Sequence, residues 1–592
     1  MREFASPTTY VVPATANLTD DIVRNAVEHP ESIAFSRADG GGWSAVSAAE
    51  FLDQVRAVAR GLVAAGVGPG DRVGLLSRTR YEWTLVDYAT WYAGAVTVPL
   101  YPSSPREQVE EIIERSGART VVVETAEQRL ALPGTVQRSW AFDEGAVAQL
   151  AAIGAGVPEG VLEDRRASVG ADSLATIVFT SGTTGRPKGC MLTHGNFLFE
   201  LEVAAEELDE LFAGPDAATL LFLPLPHVLA RVVQVGAVRR RVRLGHSGDA
   251  RTLSADLATF RPTFVLAVPR VLERLFNTAS LQAAANGRGR RFDRAAATAI
   301  EVSRSSGSGG GRLVRLRGRL FERRVYAPMR DALGGRCRYA VSGGAPLGER
   351  LAHFYRGIGI AVLEGYGLTE TTGAVTVNRP DSVKVGTVGR PLPGTAVRVA
   401  ADGELHVRGG QVFSGYWEDE TETSAVLTSD GWLRTGDVGE IDDEGFVHVT
   451  GRKNEILVTA GGKNVSPDAL EDVLRAHPLV AECLVVGDGR PYVAAVVTLD
   501  PDATRRWAAT MDTHEPARDL SRLARSARLR AEIQLGVDEA NATVSQAESI
   551  RRFVVLADQW TEEGGQLTPS LKLRRNVVRH QVRAEIEALY AR

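Results

Sequence analysis

The sequence predicts an α/β protein: a large N-terminal domain of layered α/β subdomains with a β-rich part, followed by a small α+β C-terminal domain. Three observations lead there. The chain has 592 residues, and single hydrophobic cores stop growing near about 250–300 residues. Short apolar runs alternate with helix-patterned segments through about residue 340, as in parallel βαβ layers. After about Asp381 the pattern turns strictly alternating and rich in turn residues, as antiparallel hairpins are.

Taken in order, "DRVGLLS" (Asp71 to Ser77) reads as a buried strand, and "YEWTLVDYATWYAGAV" (Tyr81 to Val96) has the apolar spacing of a helix. "PTFVLAVP" and "RCRYAVSGG" are further short strands that end in turn residues. "AVRVAADGELHVRG" folds back at Asp402-Gly403, and "GEIDDEGFVHVTGR" does so around Asp443-Glu444-Gly445. These hairpins place the β-rich part at about 381–450, closing a domain of residues 1–450 and leaving 451–592 as the small domain. There "VSPDALEDVLRAHPLV" opens a helix that Ser466 is placed to cap, with Pro467 in the first turn. "AECLVVGDGRPYVAAVVTLD" reads as another hairpin, and Pro501 to Glu548 as mostly helical.

Composition excludes several classes. Hydrophobic content of 44% and charged content of 24% describe an ordinary soluble globular protein. A net charge of −5 supplies no field toward nucleic acid or anionic membrane. No run approaches the ~18 apolar residues of a spanning helix, and "MREFASPTTYVVPATANLTDD" lacks the apolar core of a signal peptide. Cys190, Cys337 and Cys483 are too scattered for a disulfide framework or a zinc site, and read as reduced thiols of a cytoplasmic protein. "SRSSGSGGGR" (Ser303 to Arg312) reads as a connection between solvated helix faces; a surface for anionic lipid or coenzyme A phosphates is the alternative for the Arg288–Arg330 stretch.

The chemistry-bearing motifs begin with "TSGTTGRPKG" (Thr180 to Gly189). Glycines and hydroxyls after an apolar strand suggest a phosphate-holding loop, although the spacing is not that of a P-loop. "SGGAPL" (Ser342 to Leu347) lets a flat ring approach the backbone. "EGYGLTETTG" offers an aromatic, a hydroxyl and a carboxylate in Tyr366, Thr369 and Glu370. "GWLRTGDVGEI" sets Asp437 in a turn, where a carboxylate accepts both ribose hydroxyls. "GRKNEILVTAGGKNVSP" marks a hinge with a ligand-reading arginine, and "LTPSLKLRRNVV" carries Lys572.

In this order and register, the set resembles the adenylate-forming superfamily, and its details look most like the long-chain fatty acyl-CoA synthetase branch, including "PLPHVLARV" (Pro224 to Val232). The resemblance implies that ATP and a fatty acid give acyl-adenylate and pyrophosphate, after which the coenzyme A thiol displaces AMP. It also implies that the small domain is mobile and rotates between the two half-reactions. By the same resemblance Thr180, Ser181, Gly182, Thr183, Thr184 and Lys188 cradle the β- and γ-phosphates, and Glu370, with Ser181, ligates Mg²⁺. Thr369 meets the α-phosphate, and Lys572 bridges carboxylate and α-phosphate. Gly343, Gly344, Ala345 and Tyr366 form the adenine slot, with Gly367 in the same nucleotide-binding set; Asp437 and Arg452 hold the ribose.

The hinge falls at 452–455 on Asn454, where many relatives carry Asp or Lys, and Leu571 stands where related motifs place glycine. The turn Ala460 to Lys463 borders the pantetheine tunnel. His227 is a positioning or gating group, or alternatively a satisfied core histidine. The acyl pocket draws on a helix from Gly195 to Leu211 and on "FVLAVPRV". A fatty acyl-AMP ligase that loads a carrier protein is the alternative activity. A non-catalytic ATP-binding module is a further rival, opposed by Glu370, Asp437, Arg452 and Lys572 occurring together. No nucleic-acid partner is expected; peripheral contact with the inner membrane face and a homodimer are left open.

Overall fold

Parallel strands joined by helices build three sheets of the large domain, as the alternating pattern predicts. In the computed structural model, which describes residues 1–40, 42–181, 186–249, 251–305, 311–510, 519–568 and 572–591, the first sheet runs Arg138–Ala141, Thr120–Val123, Arg72–Leu76, Val96–Leu100, Leu174–Ser181, Pro187–Thr193. All its pairings are parallel except the last, an antiparallel hairpin. A second sheet sets Phe264–Ala267, Tyr339–Ser342 and Ala361–Leu368 in parallel, then turns antiparallel through Gly373–Val377 and Arg390–Pro391. A third contains Ala218–Leu221, Arg243–His246, Ile33–Ala38 and Trp43–Ser47.

The β-rich part is an antiparallel sheet of Ala396–Val399, Glu404–Arg408, Leu433–Ile441 and Val447–Arg452. Its outer partner is Glu3–Ala5, from the far end of the chain. The small domain packs Val480–Val486, Val493–Leu499 and Ile550–Leu556 against the helices Pro467–Arg475 and Ala527–Asn541, around Leu470, Leu474, Ile533 and Val537.

Four local expectations are corrected. The helix expected from Tyr81 to Val96 stops at Tyr92. Gly94 takes a left-handed φ of 79°, and Ala95 donates back to the Thr90 carbonyl; this stop signal releases Val96 into a strand. The helix expected from Gly195 to Leu211 is His194–Glu207, followed by a separate turn at Asp209–Phe212. Ser466 stands at the N-cap of Pro467–Arg475, but its hydroxyl donates to the Thr450 carbonyl at 2.7 Å instead of capping, because the strand ending at Arg452 passes close beside it. Asp437 is in the middle of a strand, not a turn; the chain reverses later, at Asp442 to Gly445.

A buried ion pair ties the helix Tyr81–Tyr92 to the helix Val228–Arg239. The Arg231 guanidinium donates to Asp87 at 2.6 and 3.3 Å, and Gln234 donates to the same carboxylate at 3.0 Å. Both charged side chains are completely buried, and the rings of Trp83, Trp91 and Phe197 lie within 5.3–5.8 Å of the guanidinium. Such a pair adds little net stability over apolar packing, but losing one partner strands a charge in the core. Residues 306–310 of the glycine-rich connection lie outside the described residues, and helices Gly289–Arg304 and Gly311–Gly318 flank them. Among the described residues no helix is long and apolar enough to cross a membrane.

Asp87→Ala is therefore expected to destabilise the large domain by about 3–5 kcal/mol in urea unfolding, and a paired Asp87→Leu/Arg231→Met variant to recover most of that loss.

Candidate functional site

The described ends of the "TSGTTGRPKG" segment lie on two antiparallel strands, with Thr180 opposite Lys188 and Ser181 opposite Pro187. Gly182, Thr183 and Thr184 lie outside the described residues; of Ser181 the backbone alone is described. Lys188 Nζ meets the Glu422 carboxylate at 2.5 Å and stands 5.3 Å from the centre of the Tyr416 ring. The Tyr416 hydroxyl donates to Glu370 Oε1 at 2.8 Å. Lys188 and Glu370, far apart in sequence, thus share one aromatic neighbour.

Glu370 sits in the single turn Thr369–Thr371 between two strands. The turn is tethered on each side: Phe413 N–H donates to the Glu370 carbonyl at 2.8 Å, and the Thr372 hydroxyl donates to the Gln411 carbonyl at 2.7 Å. Gly367 is required just before it, since a Cβ there would fall 1.7 Å from the Gly373 carbonyl oxygen.

Strand register brings the next pair together. Asp437 stands directly opposite Arg452, and the Arg452 Nε meets its Oδ1 at 3.3 Å. The Tyr366 hydroxyl donates to the other oxygen at 2.7 Å. Burial raises the Asp437 carboxyl above its usual range, against the pull of Arg452. Tyr366 thus adjoins the nucleotide-reading candidates through its hydroxyl and leaves its ring on the cavity wall.

Lys572 enters from the small domain; its neighbour Leu571 lies outside the described residues. Thr568 N–H donates to the Lys572 carbonyl at 2.8 Å, and Lys572 N–H donates to the Thr568 hydroxyl at 3.0 Å. Further along, Arg575 bonds Glu455, Asp468 and Glu471 and fastens this segment to its own domain. The Lys572 side chain is solvent-accessible but ringed by protein, and its Cε lies 4.0 Å from where a Cβ on Gly344 would be. Desolvation, then the neighbouring Arg452, lower its ammonium pKa, opposed by Asp437, Glu370 and Glu455.

His227 caps the helix Val228–Arg239, accepting from Leu229 N–H through Nδ1 at 3.2 Å. Burial, with Lys572 nearby, pulls its imidazole down to about 4, so at neutral pH it is uncharged. It is a satisfied histidine in its bonding and a cavity-lining one in its place.

One cavity of about 3470 Å³ collects these groups: Thr180, Lys188, His227, Gly343, Gly344, Ala345, Tyr366, Gly367, Thr369, Glu370, Asp437, Arg452, Asn454 and Lys572 all line it. Its apolar reach is walled by Leu201, Ala204, Phe264 and Leu266 among others, from the helix and strand that the sequence nominated. Ala460 to Lys463 is not among the lining residues; it forms the turn of the small hairpin Leu457–Val458/Asn464–Val465. Sequence reasoning missed Tyr416, Glu422, Arg575 and Glu200. Each acts through a partner distant in the chain, so no local spacing announces it.

The AMP-binding enzyme model matches residues 22–417, and the AMP-binding enzyme C-terminal domain model matches residues 454–592. The long-chain-fatty-acid–CoA ligase FadD15 of Mycobacterium bovis is 44% identical over 600 residues, covering 100% of each chain. Among solved structures, the adenylation and carrier didomain of a carboxylic acid reductase from Segniliparus rugosus, in complex with AMP, aligns with a TM-score of 0.74 at 22% identity, over 99% of this chain and 84% of that one. The O-succinylbenzoate coenzyme A synthetase of Bacillus subtilis, in complex with ATP and magnesium ion, aligns with a TM-score of 0.67 at 22% identity, over 94% and 98%. The two structures agree in fold, while the full-length likeness to the ligase goes further: the chain belongs to the AMP-binding enzyme family, in its long-chain fatty acyl-CoA synthetase branch.

Proposed function

We propose that this chain activates a long-chain fatty acid with ATP to acyl-adenylate and pyrophosphate, then passes the acyl group to coenzyme A with release of AMP. The observation that carries this reading is Lys572, borne by the small domain yet lining one cavity with Asp437 and Glu370 of the large one. The likeness to a full-length coenzyme A ligase favours coenzyme A over a carrier protein as acceptor.

In the first step a carboxylate oxygen attacks the α-phosphorus and the bond to pyrophosphate breaks. Both partners are anions, so catalysis is chiefly alignment and charge neutralisation. Lys572 supplies a movable positive charge between carboxylate and α-phosphate. Thr369 donates to the α-phosphate, while Thr180 and Lys188 hold the departing phosphates once Lys188 leaves Glu422. Gly343, Gly344 and Ala345 pass close to the adenine, and Asp437 with Arg452 reads the ribose.

Glu370 fits Mg²⁺, which binds through one or two carboxylates together with substrate phosphates. Its carboxylate lines the cavity with one oxygen bonded by Tyr416. When bound, the ion neutralises charge on the phosphates. In the second step the thiol attacks the acyl carbonyl and AMP leaves. That step needs Lys572 withdrawn, by a swivel of residues 451–592 about Arg452 to Glu455. Asn454 tolerates unusual backbone angles, and the Ala460–Lys463 turn is brought to the thiol's path.

Lys572→Ala is expected to lower fatty-acid-dependent pyrophosphate exchange by roughly 10²–10³-fold, the scale of losing one preorganised stabilising group, while thioester formation from supplied acyl-adenylate stays within a few-fold. Equal losses in both assays contradict the reading. Because the Lys572 ammonium has a lowered pKa and acts protonated, the exchange rate is expected to fall on the alkaline side below the ~10.4 of a free lysine. The residual activity of Lys572→Arg is expected to lack that limb. Glu370→Ala is expected to raise the Mg²⁺ concentration for half-maximal exchange, with activity only partly restored at saturation; an unchanged Mg²⁺ dependence contradicts its role.

A further inference from the structure

The net charge of −5 conceals an uneven distribution. Residues 288–330 carry twelve arginines and three carboxylates, a local +9, so the remaining chain carries −14. Two of those carboxylates are engaged: Arg317 meets Glu301 at 3.7 Å, and Arg330 takes Glu322. Among the described residues no carboxylate lies within ion-pairing distance of Arg290, Arg291, Arg294, Arg319, Arg323 or Arg324.

The fold gathers these arginines on one face. Arg290, Arg291 and Arg294 are three and four residues apart on Gly289–Arg304, hence neighbours on that helix. Arg291, Arg319, Arg323 and Arg324 rim one surface recess together with Leu320 and Glu322. The segment is firmly seated: Val325, Tyr326 and Met329 are buried, and the Tyr326 hydroxyl donates to the Ala295 carbonyl at 2.8 Å. Leu316 and Leu320, four residues apart, are instead left 60% and 72% exposed.

Single exposed leucines are ordinary; a pair of them among unpaired arginines selects between partners. A nucleic-acid backbone or a coenzyme A phosphate satisfies the arginines and leaves the leucines in water. An anionic bilayer satisfies both, since its phosphates accept from guanidinium groups and its headgroup–acyl boundary takes apolar side chains.

We propose that the face carrying Leu316, Leu320, Arg319, Arg323 and Arg324 docks on an anionic phospholipid bilayer, its leucines entering the headgroup–acyl boundary and its arginines pairing with lipid phosphates. This goes beyond the fatty-acid reading and stands without it, because binding is measured with no substrate present.

The test is flotation of the full chain with vesicles of phosphatidylcholine alone, or of phosphatidylcholine and phosphatidylglycerol in equal parts. The chain is expected to float with the anionic vesicles only, and to be released at about 1 M salt, where the Debye length is ~3 Å. Arg319→Glu/Arg323→Glu/Arg324→Glu is expected to lower partitioning onto the anionic vesicles by about 100-fold or more, since each surface arginine contributes about five-fold. Leu316→Ser/Leu320→Ser is expected to lower it by about ten-fold or more. Both variants are expected to keep vesicle-free thioester formation and an unchanged KM for coenzyme A, which reports an intact fold.

A full chain that stays unbound to the anionic vesicles overturns the proposal, as does an arginine variant that floats like the unmodified chain. Binding that ignores the leucine substitutions and is matched by binding to a nucleic-acid duplex overturns it in favour of a surface for polyanions. A raised KM for coenzyme A in the arginine variant, without any vesicle binding by the unmodified chain, overturns it in favour of a coenzyme A phosphate site.

Discussion

A lysine carried by one domain lies inside the charge field of the other. The large domain gathers carboxylates, Glu370 and Asp437, where the proposed reaction joins two anions, and the balancing cation Lys572 comes from across the domain boundary. A cation on the same rigid wall would stay for both half-reactions. One on a separate body can be removed, at the cost of desolvating an ammonium among protein groups, and the lowered Lys572 pKa records that cost.

The rest of the structure supports this meeting. The tethers from Phe413 and Gln411 hold the turn bearing Glu370. Register alone sets Asp437 against Arg452. Arg575 binds three carboxylates of its own domain, so the segment with Lys572 is fastened to that body. Between domains the contacts are sparser and more polar: Arg270 pairs with Glu482, Lys453 reaches Asp402 and Glu404, and Leu281 packs on the small-domain core. Interfaces of that character permit relative motion.

Much of this was legible in the sequence because it is written locally. Asp402-Gly403 and the Asp442–Gly445 reversal fix hairpins by turn chemistry. The order of glycine-rich and carboxylate motifs nominated groups that fold to one cavity from as far apart as Thr180 and Lys572. What escaped is long-range. Glu3–Ala5 is too short to declare a strand without its partner at Ala396–Val399. Asp437 follows Thr435-Gly436, which reads as a turn until the opposite strand claims it. Ser466 has the composition of a cap, but a carbonyl on a neighbouring strand takes its hydroxyl. Glu200, Tyr416 and Glu422 owe their meaning to partners brought close only by the fold.

The claim that the small domain delivers and then withdraws Lys572 is tested most directly by fixing its position. Arg270 and Glu482 meet across the domain boundary, and the native Cys190, Cys337 and Cys483 are buried, so an Arg270→Cys/Glu482→Cys chain can be bridged by a short cleavable thiol crosslinker. The bridged enzyme is expected to retain fatty-acid-dependent pyrophosphate exchange and to lose thioester formation, with recovery when the linker is cleaved. Acyl-CoA production by the bridged enzyme at the rate of its unbridged form would contradict the account.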